Sequence, residues 1–241
     1  MRALYLKEIR GFLNSTVGYI FILIFLVATW LFHWVFNGNF LEAQLADMLP
    51  FFSTTPYLFL ILIPAITMRS IADERRTGTI ELLYTRPISD FGILLAKYLA
   101  GVTLLLISLL PTLIYYASVH YLGDPVGVID DGSTITSFIG LFLLGSCFVS
   151  VGIFASALTS SQIIAFITSL TFCYILYDGI SLIGSYAKFG KLDFLIQYFG
   201  LNTHYDSIKK GVILSEDLVY FFSVIAVFLL ASHTAIKSLK K

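Results

Sequence analysis

Six long apolar runs decide what this chain of 241 residues can fold into. Each run has about the 20 residues that a helix needs to cross a hydrocarbon layer of about 30 Å. Only 12% of the residues are charged, against about a quarter in a typical soluble domain. The pattern predicts an all-α integral membrane protein with six transmembrane helices in a single domain over residues 1–241. We expect the spans at Val17–Phe36, Phe51–Met68, Phe91–Val119, Phe138–Leu158, Gln162–Tyr186 and Leu218–Ile236.

The distribution of Lys and Arg predicts the orientation of these spans. Loops 37–50 and 120–137 contain neither residue, whereas both ends of the chain and the second connection are basic. The positive-inside rule then places both termini and the second connection in the cytoplasm. Loop 187–217 fits this topology less well, because it holds four lysines and six spans put it outside. We expect one or two short helices at the outer surface in that loop, or a re-entrant pair.

Residues 1–15 have the pattern of an amphipathic helix. At helical spacing, apolar residues share one face and basic residues lie off it. The apolar set is Tyr5, Ile9, Phe12 and Leu13, and the basic set is Lys7 and Arg10. We expect an N-terminal interfacial helix with its apolar face in the lipid and its basic residues toward the headgroups. A solvated leader is the alternative.

The densest charged segment of the chain is Arg69–Asp90, between spans two and three. Ile71–Arg76 is expected to continue span two past the membrane, and Thr77-Gly78-Thr79 to interrupt it, because glycine weakens a helix. Thr79–Tyr84 then forms a second short helix that Arg86-Pro87 stops. Such a segment is placed to contact a partner in the water, although a loop that merely sets topology would look similar. We expect four of its charged residues to lie in water: Glu74, Arg75, Arg76 and Glu81.

Asp178 is a carboxylate inside the predicted span five. Ionisable residues in spans are costly and usually face protein or water. Asp178 is therefore a candidate for a substrate or proton site on a translocation path. The alternative is a residue near the outer surface that is hydrogen-bonded to Tyr174 or Tyr177. On span four, Gly152, Ser156 and Ser160 recur every four residues, a spacing that favours close helix packing over a substrate groove.

Several function classes are not supported by the sequence. The net charge is zero, so no nucleic-acid partner is indicated. The histidines lack metal-ligand spacing, and no catalytic residues are predicted. The phosphate-binding pattern G-x-x-x-x-G-K-[ST] is absent, so any ATP hydrolysis must come from another chain.

The segment from residue 74 onward reads E-R-R-T-G-T-I-E-L-L-Y-T-R-P-I-S-D. It resembles the signature between the second and third spans of ABC-2 type permeases. Further stretches are similar to the gliding-motility-associated group of these permeases, related to permeases of the nitrous-oxide-reductase maturation type. These stretches read I-P-A-I-T-M-R-S, L-L-P-T-L-I-Y-Y, L-G-D-P-V-G-V-I-D-D-G and Y-D-S-I-K-K-G-V-I.

The resemblance implies a permease subunit in a bacterial inner membrane. Its coupling helix region would dock a separate ATPase, present in two copies, which binds the ATP and Mg. A second permease subunit, identical or different, would complete the complex. Carried over by position, the docking contacts would be Glu74, Arg75, Arg76, Gly78, Thr79 and Glu81.

Two other functions stay open at this stage. A complex of the same architecture would transmit force across the membrane to envelope machinery without moving a substrate. Less in keeping with the resemblance, a stand-alone secondary transporter would use Asp178. The sequence does not name a substrate.

Overall fold

The computed structural model describes residues 1–42, 46–79, 89–186 and 197–238, and within these ranges the secondary structure is helical with no strand. Six helices are long and apolar enough to cross a membrane, which confirms the predicted fold class. The spans, numbered in chain order, are Thr16–Val35, Leu49–Arg76, Asp90–Leu122, Asp131–Leu158, Gln162–Leu182 and Ser215–Ser238. Shorter helices among the described residues include the N-terminal helix Arg2–Leu13, the connector helix Ala72–Arg76 at the end of span two, and the loop helix Leu201–Ile208.

Four spans depart from regular α-helix. Span one ends in a π-helical turn over Leu31–Val35, and span five contains another over Ile175–Gly179. Span three changes to a 3-10 turn at Leu110–Thr112, where Pro111 cannot donate a backbone hydrogen bond. In span two the α-helix Leu49–Thr67 stops before the connector helix begins. Hydropathy alone does not reveal such local changes.

Span four is the centre of the bundle. In its most apolar window 78% of the residues are buried, against 28% in span one and 22% in span five. It packs against spans two, three, five and six. A Cβ on Gly152 would lie 2.0 Å from Thr67 Oγ1, and one on Gly140 would lie 2.5 Å from Ile208 Cγ2. The prediction of close packing at Gly152 is therefore confirmed, because a larger side chain would overlap span two.

The bundle has two distinct ends. We call the end that carries the connector helix the connector end, and the end that carries the loop helix the loop end. The N-terminal helix packs along span three, with Leu4 against Ile93 and Ala96, and the Tyr5 hydroxyl lies 2.8 Å from Thr103 Oγ1. The predicted apolar face is therefore partly buried against span three, rather than lying wholly in lipid.

The other three residues of the predicted apolar face also lie beside the protein. Ile9, Phe12 and Leu13 lie beside Ala100, Leu104 and Ile107 of span three. The basic side chains are on the other side, where Lys7 and Arg10 are exposed. The predicted amphipathic pattern is thus present, but span three takes part of the place expected for the lipid.

The loop helix is anchored by its buried face. Leu201, His204, Tyr205 and Ile208 are buried against the bundle. The Tyr205 hydroxyl donates to the carbonyl oxygen of Phe52 at 2.7 Å, and burial raises the pKa of Tyr205 well above its usual value. A short helix in loop 187–217 was predicted, but its apolar face contacts spans rather than an open surface. Residues 187–196 of this loop lie outside the described residues.

Candidate functional site

The connector helix begins at a break that span four stabilises. Ser156 Oγ accepts hydrogen bonds from the backbone N–H groups of Ile71 and Ala72, both at 2.9 Å, and donates to the carbonyl of Met68 at 3.0 Å. The hydroxyl therefore satisfies backbone groups that the break in span two leaves without helical partners. One side chain of span four thus fixes where the connector helix starts.

Glu74 of the connector helix belongs to a buried ion cluster. The ammonium of Lys97 lies 2.8 Å from Glu74 Oε1 and 3.3 Å from Glu8 Oε1, and the Lys97 side chain is only 2% exposed. These three residues form what we call the Lys97 cluster. It joins the N-terminal helix, the connector helix and span three through one side-chain cation.

The connector helix is also tied to spans four and five. Asp73 Oδ1 accepts a hydrogen bond from Gln162 Nε2 at 2.6 Å, and Arg75 Nη1 donates to the carbonyl of Ala157 at 2.8 Å. Asp73 also pairs with Arg76 at 2.9 Å across one turn. Acidic residues in its first turn and basic residues in its last turn suit the helix dipole. The helix is therefore held by side chains from three spans.

The chain leaves the connector helix through an exposed turn. Arg76, Thr77, Gly78 and Thr79 are exposed, and we call these four residues the connector edge. Gly78 has φ +71°, a backbone conformation that favours glycine. The predicted interruption at this glycine is confirmed. The predicted second helix over Thr79–Tyr84, and Glu81 with it, extend into residues 80–88, which lie outside the described residues.

The structure divides the predicted docking residues into two sets. Arg76, Gly78 and Thr79 lie on the exposed connector edge. Glu74 instead points inward, with its side chain 15% exposed, and Arg75 is half-buried against span four. The expectation that Glu74 and Arg75 lie free in water is wrong, because both bind groups of the bundle.

The sequence reading missed the side chains that hold this site. The sequence pattern does not identify Lys97, Glu8, Ser156 or Gln162 as residues of this site. A signal for Lys97 was available, because a lysine inside an apolar run needs a partner when it is buried. Which carboxylates pair with it depends on the tertiary packing.

Asp178 lies at the loop end, away from the connector site. It stands in the π-helical turn of span five and is half-buried. Asn202 Nδ2 donates to Asp178 Oδ1 at 3.2 Å, and the Tyr57 side chain lies near the same carboxylate. The partners expected from the sequence, Tyr174 and Tyr177, are therefore replaced by residues of span two and the loop helix.

A second buried polar pair lies at the loop end. His204 Nδ1 is 2.7 Å from Asp217 Oδ1, and His204 Nε2 is 2.9 Å from the carbonyl oxygen of Tyr198. The imidazole stacks on Tyr220 with ring centroids 4.0 Å apart. We call His204 and Asp217 the His204 pair. It fastens the loop helix to the start of span six.

Comparisons with known proteins identify the kind of membrane protein to which this architecture belongs. A comparison with curated proteins gave no match. A model of the family described as "ABC-2 family transporter protein" matches residues 2–192, which include the N-terminal helix, the connector helix and spans one to five. The family is a membrane component that is not itself catalytic and that works with an ATPase. This multi-pass chain therefore belongs to the ABC-2 family of transporter membrane proteins.

Proposed function

We propose that the chain is one membrane subunit of an ATP-driven ABC-2 type export complex and that its connector region docks the ATPase. The observation that carries this proposal is the contrast within the connector helix. Its inward side chains are bound by three spans, whereas its last turn and the connector edge are exposed. A segment that is rigidly held on one side and open on the other suits the transfer of movement from a partner to the spans.

Docking would use the connector edge directly. Arg76, Gly78 and Thr79 would contact the ATPase, together with Glu81 in the segment that follows. Glu74 and Arg75 would act from behind, by holding the connector helix on Lys97 and on the Ala157 carbonyl. Closure of two ATPase copies on ATP and Mg would then move this helix and the spans attached to it.

The remaining features of the complex are also part of the proposal. The connector end would face the cytoplasm of a bacterial inner membrane, with both termini on that side. A second permease subunit, of the same or a different sequence, would complete the path. The resemblance to the gliding-motility-associated group supports a task in gliding motility or in the cell-envelope machinery.

Purification of the tagged subunit from its own cells in a mild detergent tests the docking proposal. The wild-type protein should bring along a stoichiometric P-loop ATPase. Arg76→Glu should reduce the retained ATPase by about tenfold or more, because like charges placed together at an interface cost several kcal/mol. Arg2→Glu is the matched control, since Arg2 is equally exposed but lies on the N-terminal helix. A well-folded protein that comes without any ATPase would overturn the proposal.

The same variants separate the alternative functions. In a stand-alone secondary transporter, Asp178→Asn should abolish activity and Arg76→Glu should leave it unchanged. In an ABC complex, Arg76→Glu should abolish activity. Export and force transmission would both depend on Arg76, so they are separated by measuring substrate movement in vesicles that contain the purified complex.

A further inference from the structure

We propose that Lys97 is a positioning residue that makes the N-terminal helix, span three and the connector helix move as one unit. The inference deepens the proposed function and rests on it for the source of the movement. The Lys97 ammonium binds the Glu74 carboxylate of the connector helix and the Glu8 carboxylate of the N-terminal helix.

The break in span two makes this arrangement necessary. The α-helix of span two stops at Thr67, and the connector helix begins at Ala72. A turn between two helices transmits force less directly than a continuous helix, so span two is not a rigid lever for the connector helix. The Lys97–Glu74 contact instead links the connector helix to span three, 23 residues further along the chain.

The N-terminal helix joins the same unit through two kinds of contact. Its apolar face packs on span three through Leu4 and Tyr5, and Glu8 binds Lys97. When the connector helix moves, either the Lys97 cluster must break or span three and the N-terminal helix must follow. Separating an ion pair whose lysine is this deeply buried is costly, so movement of the whole unit is favoured.

Lys97 is the residue of the cluster whose positive charge keeps the two carboxylates close together. One ammonium is placed between two carboxylates, and the side chains of Glu8 and Glu74 are only 16% and 15% exposed. Without the cation, two negative groups would face each other with little water to separate their charges. Removing Lys97 should therefore drive the connector helix and the N-terminal helix apart, whereas removing Glu8 should release only the N-terminal helix.

Distance measurements between spin labels test this proposal in the isolated protein and in the complex. Leu6 is 40% exposed on the N-terminal helix and Thr77 is exposed on the connector edge, so cysteines at both positions accept labels. The native cysteines, Cys147 and Cys173, are fully buried and should stay unlabelled. The wild-type background should give one narrow distance distribution.

Three variants of the isolated protein give a graded result. Lys97→Met should lose the narrow peak and shift to longer distances. Lys97→Arg should restore it, because arginine keeps the charge, and the exposed control Arg2→Gln should leave it unchanged. A Lys97→Met distribution that equals the wild type would overturn the positioning role. If Lys97→Met does not fold, Glu8→Gln decides instead, because it keeps the Lys97–Glu74 pair and should still broaden the distribution.

A nucleotide step tests movement as one unit. In a wild-type complex that retains its ATPase after labelling, trapping with ATP and vanadate should leave the Leu6–Thr77 distance unchanged, whereas in the equally labelled Glu8→Gln complex the distance should shift. A wild-type shift on trapping would contradict the proposal. If no ATPase accompanies the wild-type protein, the docking proposal fails, and the distances in the isolated protein still decide the role of Lys97.

Discussion

The Lys97 cluster and the His204 pair place buried polar side chains at opposite ends of the same bundle, but they connect very different lengths of chain. Glu8 and Lys97 are 89 residues apart, whereas His204 and Asp217 are 13 residues apart. The His204 pair therefore closes a local loop onto the next span. The Lys97 cluster joins three elements whose relative position nothing local determines.

The two clusters also differ in how they are balanced. Lys97 is the one buried cation between two carboxylates, and the exposed Lys7 lies 3.8 Å from Glu8 Oε1. His204 meets one carboxylate and one backbone carbonyl, and its ring is further supported by the stack on Tyr220. The comparison indicates that the connector end depends on a single buried cation, whereas the loop end has several contacts that support one another.

The largest expected effect comes from Lys97→Met. Breaking a buried ion cluster by removing its cation leaves uncompensated charge, and the free energy of unfolding should fall by about 3–5 kcal/mol. Unfolding in mixed detergent micelles measures the loss. Lys97→Arg should recover most of the stability, and the exposed Arg2→Gln should change little. Equal stability of Lys97→Met and Arg2→Gln would show that the cluster is not a stability determinant.

A smaller loss in unfolding free energy is expected when the His204 pair at the loop end is broken. His204→Phe keeps the ring stack on Tyr220 but removes the hydrogen bond to Asp217, and the free energy of unfolding should fall by about 2–3 kcal/mol. The same unfolding measurement applies, with Asp217→Asn as the milder comparison because an amide can still hydrogen-bond the imidazole. If His204→Phe lowers the free energy of unfolding more than Lys97→Met does, the loop end contributes more to stability than the connector end.

The contact between Ser156 and the connector helix sharpens the comparison further. Ser156→Ala removes the acceptor for the N–H groups of Ile71 and Ala72 and should cost about 1–2 kcal/mol. Hydrogen exchange at these two amides should become faster, because local opening precedes global unfolding. Unchanged exchange would mean that the other contacts of the connector helix hold its start without Ser156.

The smallest expected effect is the coupling between the ends. Ser156→Ala and His204→Phe change residues that share no contact partner, so their losses in unfolding free energy should add to within about 0.5 kcal/mol. The double variant provides the measurement. A larger interaction energy would show that the two ends communicate through span four.

The parts of this fold that depend on the hydropathy pattern could be predicted from the sequence. The six spans follow from the length of the apolar runs, and the interruption at Gly78 follows from the conformational preference of glycine. The apolar face of the N-terminal helix was also predicted from the sequence. Apolar side chains can pack equally well against lipid or against span three. A hydropathy pattern does not distinguish these two surroundings, so the packing of Leu4 and Tyr5 required the tertiary structure.

The candidate site was less predictable than the fold. The family signature directed attention to the segment that holds Arg76, Gly78 and Thr79, and these residues do lie on an exposed edge. It did not show that Glu74 turns inward, because that depends on where Lys97 of span three comes to lie. Which side chains pair over long distances along the chain depends on how the helices pack. The spacing of residues in one sequence does not reveal that packing.

The glycine contact in the middle of span four limits how the bundle can rearrange. At Gly152 the backbone of span four approaches Thr67 so closely that no side chain fits between them. Sliding span two along span four by one turn would bring Phe148 or Ser156, which share a helix face with Gly152, toward Thr67, and dense packing resists such overlap. Tilting about this contact does not require that exchange. Gly152 would therefore serve as a pivot, so that span two changes its angle to span four while the register between the two helices stays constant.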